Sequence, residues 1–398
     1  MIEKIDLFAG CGGLSLGFVE AGFKSSHFVE IDKWSCETLR RNFRGGVVLE
    51  EDVAAVSRAR LEQEAKVSDG HIIVGGPPCQ GFSHSNVRNK DPKDPRNSLF
   101  KEYVRIVEET KPQACVIENV PGLLTTKTQS GAPVIDIITS ELDQLGYRPD
   151  FAVLDAADFG VPQFRRRVFI VGIRKDQAGE FVWPTPSENR PITCWEAMSD
   201  LPQVISGASV PSDKYSSPPH NDYQKSLRTT ENAPITHHEP MRHTKRIVER
   251  FAAIKHGESE ADVTGDHAPR SRGNAQVVSK KVYAQNSRRQ HSNRPCNTVV
   301  SSSHSNFIHP YLNRNFTVRE LLRLQSFPDD FSLAGKRAVL SKKLSIRKGL
   351  IDDIYNDQRV QVGNAVPPKL AFAIASSLKD CLSMGQHKTE RSAEHACT

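Results

Sequence analysis

The sequence predicts an α/β protein, a doubly wound and mostly parallel sheet joined to a second, smaller, irregular domain. Three observations carry that expectation. Across the first 175 residues short apolar runs alternate with helical stretches, the pattern of β–α–β units. After Arg174 the texture changes to breaker-dense segments such as PTPSENRP, SSPPHND and TTENAPITHHEP. And 398 residues are more than one hydrophobic core normally serves.

Buried strands are expected at Lys4–Phe8, His27–Ile31, Val47–Leu49, His71–Val74, Ala114–Ile117, Phe151–Leu154 and Val168–Ile173, where β-branched and aromatic residues cluster. Helical periodicity falls between them, at Leu14–Ala21, Lys33–Phe43, Leu99–Thr110 and Val134–Leu145. In such a sheet ligands collect at the carboxyl ends of the strands. The second domain, 179–335, holds nine of the fourteen histidines between His220 and His309. A helix is expected from Thr317 (VRELLRLQ), and Pro367 opens a last one, KLAFAIASSLKDCL, on an apolar stripe. The polar tail 386–398 is expected to be disordered.

Apolar residues make up 37% and charged residues 25%, which describes a globular protein rather than a disordered or fibrous one. No run approaches the roughly 18 consecutive apolar residues of a membrane helix, so no membrane association is expected. The start, MIEKIDLFAG, lacks the apolar stretch of a secretory signal. Eight cysteines form no CxxC pair, against a zinc ribbon, a metal site or a disulfide scaffold, and in favour of a reduced cytoplasmic setting. The net charge is +6, but His267–Arg294 carries seven basic residues and no acidic one, leaving the rest of the chain near neutral. That segment is either a solvated loop or a contact for an anion such as nucleic acid.

Four segments carry candidate chemistry. In DLFAGCGGLSLGF, Gly10, Gly12 and Gly13 stand between a strand and a helix, where glycine lets a ligand approach the backbone closely. Glu30 ends the next strand, placed to accept from ribose hydroxyls, and Asp52 follows the third, placed to read an adenine amino group. This describes any nucleoside-binding turn, or a tight turn with no ligand. In HIIVGGPPCQGFS, prolines and glycines leave Cys79 accessible at a strand end, a setting for a nucleophile rather than for another buried cysteine. CVIENVPGLL places Glu118 at a strand end, as an acid, a hydrogen-bond donor, or a plain turn cap. FGVPQFRRRVFIVGI supplies Gln163 and Arg165–Arg167, with alternation placing Arg165 and Arg167 on one face.

Taken together, DLFAGCGG, GGPPCQGFS, ENV, QFRRR, RPCNTV (Arg294–Val299) and QVGNAVPP (Gln361–Pro368) resemble, in order and approximate spacing, the motifs of the DNA (cytosine-5)-methyltransferases of bacterial restriction–modification type. The resemblance covers about residues 1–175 and 290–382 and implies the S-adenosylmethionine-dependent methyltransferase fold. It also implies a catalytic domain 1–178 completed by 358–385, a recognition region at about 180–292, and an inserted basic element at 336–357 where relatives have a short link. By the same resemblance Cys79 would attack carbon 6 of a flipped-out cytosine, Glu118 would hold ring nitrogen 3, Arg167 would bind the base carbonyl, and Arg165 would support the loop. Phe8, Gly10, Gly12, Glu30, Ile31, Asp52, Val53, Pro78, Leu99, Asn364 and Val366 would form the S-adenosylmethionine cleft. Arg270, Arg272, Lys280, Lys281, Arg288 and Arg289, with the anchoring Thr298, would meet double-stranded DNA. A monomer is implied, with a companion restriction endonuclease acting on the same site, or an orphan methylase. The competing readings are a tRNA cytosine-5 methyltransferase, which would carry a more compact recognition region, and a non-catalytic DNA-binding relative, which would have no need of Cys79, Glu118 and Arg167 together.

Overall fold

A computed structural model describes residues 1–78, 99–128, 131–208, 214–229, 234–271, 274–301, 307–338 and 342–395. Cys79 and Arg272 lie outside the described residues. The chain divides into two units: residues 1–159, 166–187 and 366–398 form the first, and 160–165 with 188–365 the second.

The first unit is built in chain order from β1 (Glu3–Leu7), α1 (Gly13–Glu20), β2 (Lys24–Glu30), α2 (Lys33–Asn42), β3 (Val47–Glu50), α3 (Arg58–Glu64), β4 (Ile72–Gly75), α4 (Leu99–Thr110), β5 (Ala114–Asn119), α5 (Val134–Gln144), β6 (Tyr147–Asp155) and β7 (Arg166–Arg174). The seven strands form one sheet in the order β3-β2-β1-β4-β5-β7-β6. Strands β1 to β5 run parallel, whereas β7 is antiparallel to both neighbours. The expected strands all form, and the doubly wound reading holds. Residues such as Ile5, Leu7, Ile73, Ile117 and Ile170 are buried in one apolar core, the near-continuous apolar run that a sheet covered on both faces requires.

The C-terminal helix, Pro368–His395, belongs to this unit and packs on α1. A Cβ built on Gly17 would lie 2.3 Å from the Pro368 carbonyl oxygen and 2.6 Å from the Ala371 side chain, so only glycine permits so close a crossing. The helix runs on past Gln386, where a disordered tail was expected. Once the Leu370–Leu382 stripe has nucleated it, extension through Lys, Glu, Arg and Ala costs little.

The second unit contains α6 (Asp222–Leu227), α7 (Lys245–Ala253), β8 (Arg270–Ser271), β9 (Asn274–Val278), β10 (Arg288–Arg289), β11 (Phe307–Ile308), α8 (Val318–Leu324), α9 (Lys342–Arg347) and α10 (Gln358–Asn364). Among the described residues its strands make two-stranded pairs, β8 with β9 and β10 with β11. Thr317 caps α8 in a reciprocal box with Glu320, the start predicted from sequence. The 336–357 element contains α9 and a short 3-10 turn at Ile351–Ile354.

Candidate active site

Topology decides which residues of the first unit share an edge. Because β1 to β5 are parallel, their carboxyl ends lie on one side of the sheet, and the antiparallel β7 begins there. Along that edge stand, in strand order, Asp52, Glu30, the turn Phe8–Gly12, the loop Gly76–Pro78, Glu118 and Arg167. The chain order of the strands reverses between β1 and β4, the position where doubly wound sheets open a crevice.

The turn after β1 is held in a strained conformation. Phe8 adopts φ 58, a region L-residues avoid, and Gly10 and Gly12 are left-handed as well. The two glycines do different things. A Cβ added at Gly10 meets nothing within 4 Å, so that position borders open space. At Gly12 it would come within 2.4 Å of the Phe43 ring and 2.9 Å of Leu39, so Gly12 makes room for α2. The turn is tied to β2 through Glu30, whose carboxylate accepts the Gly10 N–H at 2.7 Å and those of Ile31 and Asp32 at 3.0 and 2.9 Å. Burial pushes the Glu30 carboxyl up, and the Asp32 and Gly10 amides oppose it. Ile31 is 63% exposed on the same edge. Asp52 is exposed and caps the turn that follows it through the Ala54 N–H. Val53 is part of the apolar core, and Leu99 packs half-buried on it.

Below the unit's own motifs lies a hidden anchor. The Lys4 ammonium, buried in β1, donates to Ser15 Oγ at 2.5 Å, and Ser15 donates to Asp6. Burial lowers Lys4 to about 8 and raises Asp6. Because α1 has no side-chain cap at Gly12, this network fixes its first turn to the sheet.

The other half of the edge brings the ENV and QFRRR motifs together. In the β5–β7 ladder Glu118 lies opposite Phe169, so Arg167 is its diagonal neighbour on the same face. Arg167 Nε donates to Glu118 Oε1 at 2.9 Å, with both side chains mostly buried, and Nη1 donates to the Arg166 carbonyl at 2.8 Å. A Cβ on Gly76 would sit 3.0 Å from Glu118 Oε2, so the glycine lets the carboxylate reach the loop that leads to Cys79. Asn119, which carried no assigned role, donates to the Pro77 carbonyl at 2.9 Å and fixes that loop. Its signal was the ENV triplet itself.

Within the second unit three further motifs converge. Gln163 accepts the Val299 N–H at 2.7 Å and donates to the Leu324 carbonyl at 3.1 Å. Arg165 is buried and donates to the carbonyls of Val299 at 2.7 Å and Gly363 at 3.1 Å. It is therefore a brace between RPCNTV and QVGNAV. Thr298 donates to the Phe164 carbonyl at 2.7 Å, an anchoring contact. Asn364 is exposed at the end of α10, while Val366 is buried in the first unit.

The expected DNA-contacting cations separate into two sets. Lys280 and Lys281 are exposed. Arg289 is buried and donates to the carbonyls of Ile254, Phe251 and His309, and Arg288 to those of Gly257 and Ala284. Arg289 is a structural brace, which corrects its reading as a DNA contact; Arg270 donates to the Gly265 carbonyl. Among the described residues no group of three His, Cys, Asp or Glu has metal-holding geometry, and no helix is long and apolar enough to cross a membrane.

The model of the C-5 cytosine-specific DNA methylase family matches residues 2–380, and the chain belongs to that family. It is 44% identical over 380 residues to the type II methyltransferase M.DdeI of Desulfomicrobium norvegicum, covering 94% of this chain and 88% of that protein. It is 37% identical over 378 residues to the type II methyltransferase M1.HphI of Haemophilus parahaemolyticus, covering 95% and 86%. A crystal structure described as a prophage-encoded DNA modification methyltransferase of E. coli superposes with a TM-score of 0.74 at 26% identity, covering 96% of this chain and 100% of that one. The protein is thus a DNA cytosine methyltransferase with the methyltransferase fold, and its family implies S-adenosylmethionine-dependent methyl transfer to DNA.

Proposed function

We propose that the chain methylates carbon 5 of one cytosine within a short duplex sequence, as the modification enzyme of a restriction–modification system or as an orphan methylase, through a covalent adduct at Cys79. The observation that carries this reading is the Glu118–Arg167 pair on the sheet edge, beside the Gly76–Pro78 loop that leads into Cys79.

The residues present fit S-adenosylmethionine. Open space at Gly10, the half-buried Phe8 beside it and the Glu30 carboxylate on the adjacent strand suit a methionine moiety, an adenosine and a ribose in that order. Oε2 of Glu30 accepts one amide and keeps capacity for a hydroxyl. Bound there, S-adenosylmethionine supplies an electrophilic methyl group. Carbon 5 of cytosine is too weak a nucleophile to take it unaided, so the chain's own residues must raise its electron density. The Cys79 thiolate adds to carbon 6, forming a carbon–sulfur bond. The electron pair of the 5,6 double bond moves toward carbon 5 and the ring, where a proton held between Glu118 and nitrogen 3 accommodates it. Arg167 steadies Glu118 and offers its remaining N–H groups to the base carbonyl. After methylation a base removes the carbon 5 hydrogen, and the electron pair returns to expel Cys79 as a thiolate. Carbon 6 of a stacked base is inaccessible, so the cytosine must leave the helix.

The test is bisulfite sequencing of DNA from a methylation-free bacterial host expressing the protein, beside a Cys79→Ser control. Conversion-resistant cytosines in one short motif, absent from the control, are expected, with cofactor affinity of the variant within a few-fold. Turnover retained by Cys79→Ser would sink the covalent route.

A further inference from the structure

Strand β1 places Lys4 and Asp6 on one face of the sheet, opposite to Ile5 and Leu7. Their register partners Ile72, Val74 and Phe28 share that face and are fully buried, so the surroundings are apolar. Lys4 and Asp6 are themselves buried, and Ser15, on the first turn of α1, is buried with them. The Lys4 ammonium lies 5.0 Å from the centre of the Phe28 ring. Burial lowers it no further than about 8, so at neutral pH it is charged and can only donate. The Ser15 hydroxyl accepts from it and passes its own hydrogen to Asp6.

Charges are costly in such a place. Replacing a buried ion pair with apolar side chains of similar volume is often neutral or stabilising, so stability alone does not account for this one. What the three residues share is their position about the turn: Lys4 and Asp6 precede Phe8–Gly12, and Ser15 follows it. Phe8, Gly10 and Gly12 are all at positive φ, and a strained turn persists where its surroundings over-determine it. Its β1 side is held by the Ala9 N–H on the Val29 carbonyl at 3.2 Å and by the Gly10 N–H on Glu30. On the α1 side Gly12 supplies no side-chain cap, and the Ser15 hydroxyl makes the tie instead.

We infer that Lys4, Ser15 and Asp6 are positioning residues for the cofactor. By joining α1 to β1 across the turn, they keep the backbone at Gly10 open in the shape that receives the amino-acid moiety. The inference rests on the S-adenosylmethionine reading of this edge given above.

The test uses the full chain and two ligands, S-adenosylhomocysteine and methylthioadenosine, which share an adenosine and a thioether and differ in the amino-acid moiety. In calorimetric titration Ser15→Ala should bind S-adenosylhomocysteine about tenfold more weakly, the loss of a hydrogen bond to a charged group. Its affinity for methylthioadenosine should match that of wild type. The triple variant Lys4→Met/Asp6→Leu/Ser15→Ala removes the whole polar chain and leaves no charge buried. It should keep or exceed the wild-type urea midpoint and still show the selective loss of S-adenosylhomocysteine. Wild-type affinity in both variants overturns the inference. So does an equal loss for the two ligands, or a triple variant whose midpoint falls, because either result makes the chain a support of the fold alone. A wild type that binds neither ligand overturns the cofactor reading and this inference with it.

Discussion

The two units solve the same problem, satisfying backbone groups away from water, with different materials. In the first unit the seven-stranded ladder pairs the main chain, and the interior can be apolar: Ile5, Leu7, Ile73 and Ile117 are essentially without exposure. Among its described residues the second unit has no comparable sheet, and its largest fully buried side chains there are arginines, namely Arg165, Arg314, Arg319, Arg323 and Arg359. These donate to carbonyls that no ladder serves. Arg319 reaches those of Thr236, Pro328 and Phe331; Arg314 reaches that of Val204, Arg323 that of Ala197, and Arg359 that of Phe316. Carboxylates compensate the charge, Glu320 for Arg314, and Asp200 with Asp329 for Arg323. A guanidinium carries five donors in a fixed fork, which suits it to gathering carbonyls from several loops. An irregular domain can therefore satisfy buried backbone carbonyls with charged side chains in place of a ladder.

That contrast can be broken experimentally. The largest effect is expected for Arg323→Met, which leaves Asp200 and Asp329 buried with too little compensation. Breaking such a pair costs about 3–5 kcal/mol, whereas Ile73→Val in the central strand should cost about 1 kcal/mol. Urea midpoints, with proteolysis mapped to residues 188–365, would report both. If Ile73→Val proved the more damaging, the distinction between the units would fall.

Acid should sharpen it. Burial pushes the His309 imidazole down to about 3, and its Nδ1 accepts the Tyr311 and Leu312 N–H groups, which needs the neutral ring. The unfolded chain protonates its histidines near pH 6.5, so between there and about 3 it binds a proton that the folded state refuses. Stability is then complete above pH 6.5 and declines as pH falls, by roughly 1 kcal/mol per pH unit from this residue. Glu320 is pushed up by burial but held below the usual carboxylate range by Arg314; its contribution persists until its unfolded counterpart protonates, near pH 4, and is lost below that. Chemical denaturation at pH 7 and pH 5 should show the smaller decline in His309→Gln. Equal declines in the two proteins would remove His309 from the account.

The smallest effect belongs to the first unit. The Tyr103 hydroxyl lies 3.1 and 3.0 Å from the carbonyls of Ile73 and Val116, a polar contact inside an apolar core. Tyr103→Phe should cost about 1 kcal/mol, the net worth of one hydrogen bond, measurable as a shift in the denaturation midpoint without loss of methyl transfer.

Sequence alone determined the alternating strands and helices and the motif turns at the strand ends. Those features are local, written in periodicity and in residue types that a strand end or tight turn requires. Tertiary structure decided the rest. That β7 runs antiparallel, which brings Arg167 to the same sheet edge as Glu118, follows from strand order and not from any residue in β7. That Gly12 serves α2 while Gly10 borders open space depends on what packs against each. The acid-free run that suggested a DNA surface contains Arg289, a brace whose partners are carbonyls. Every residue carries a carbonyl, so those partners leave no mark in composition or charge, and only the folded chain shows which cations have been taken out of water.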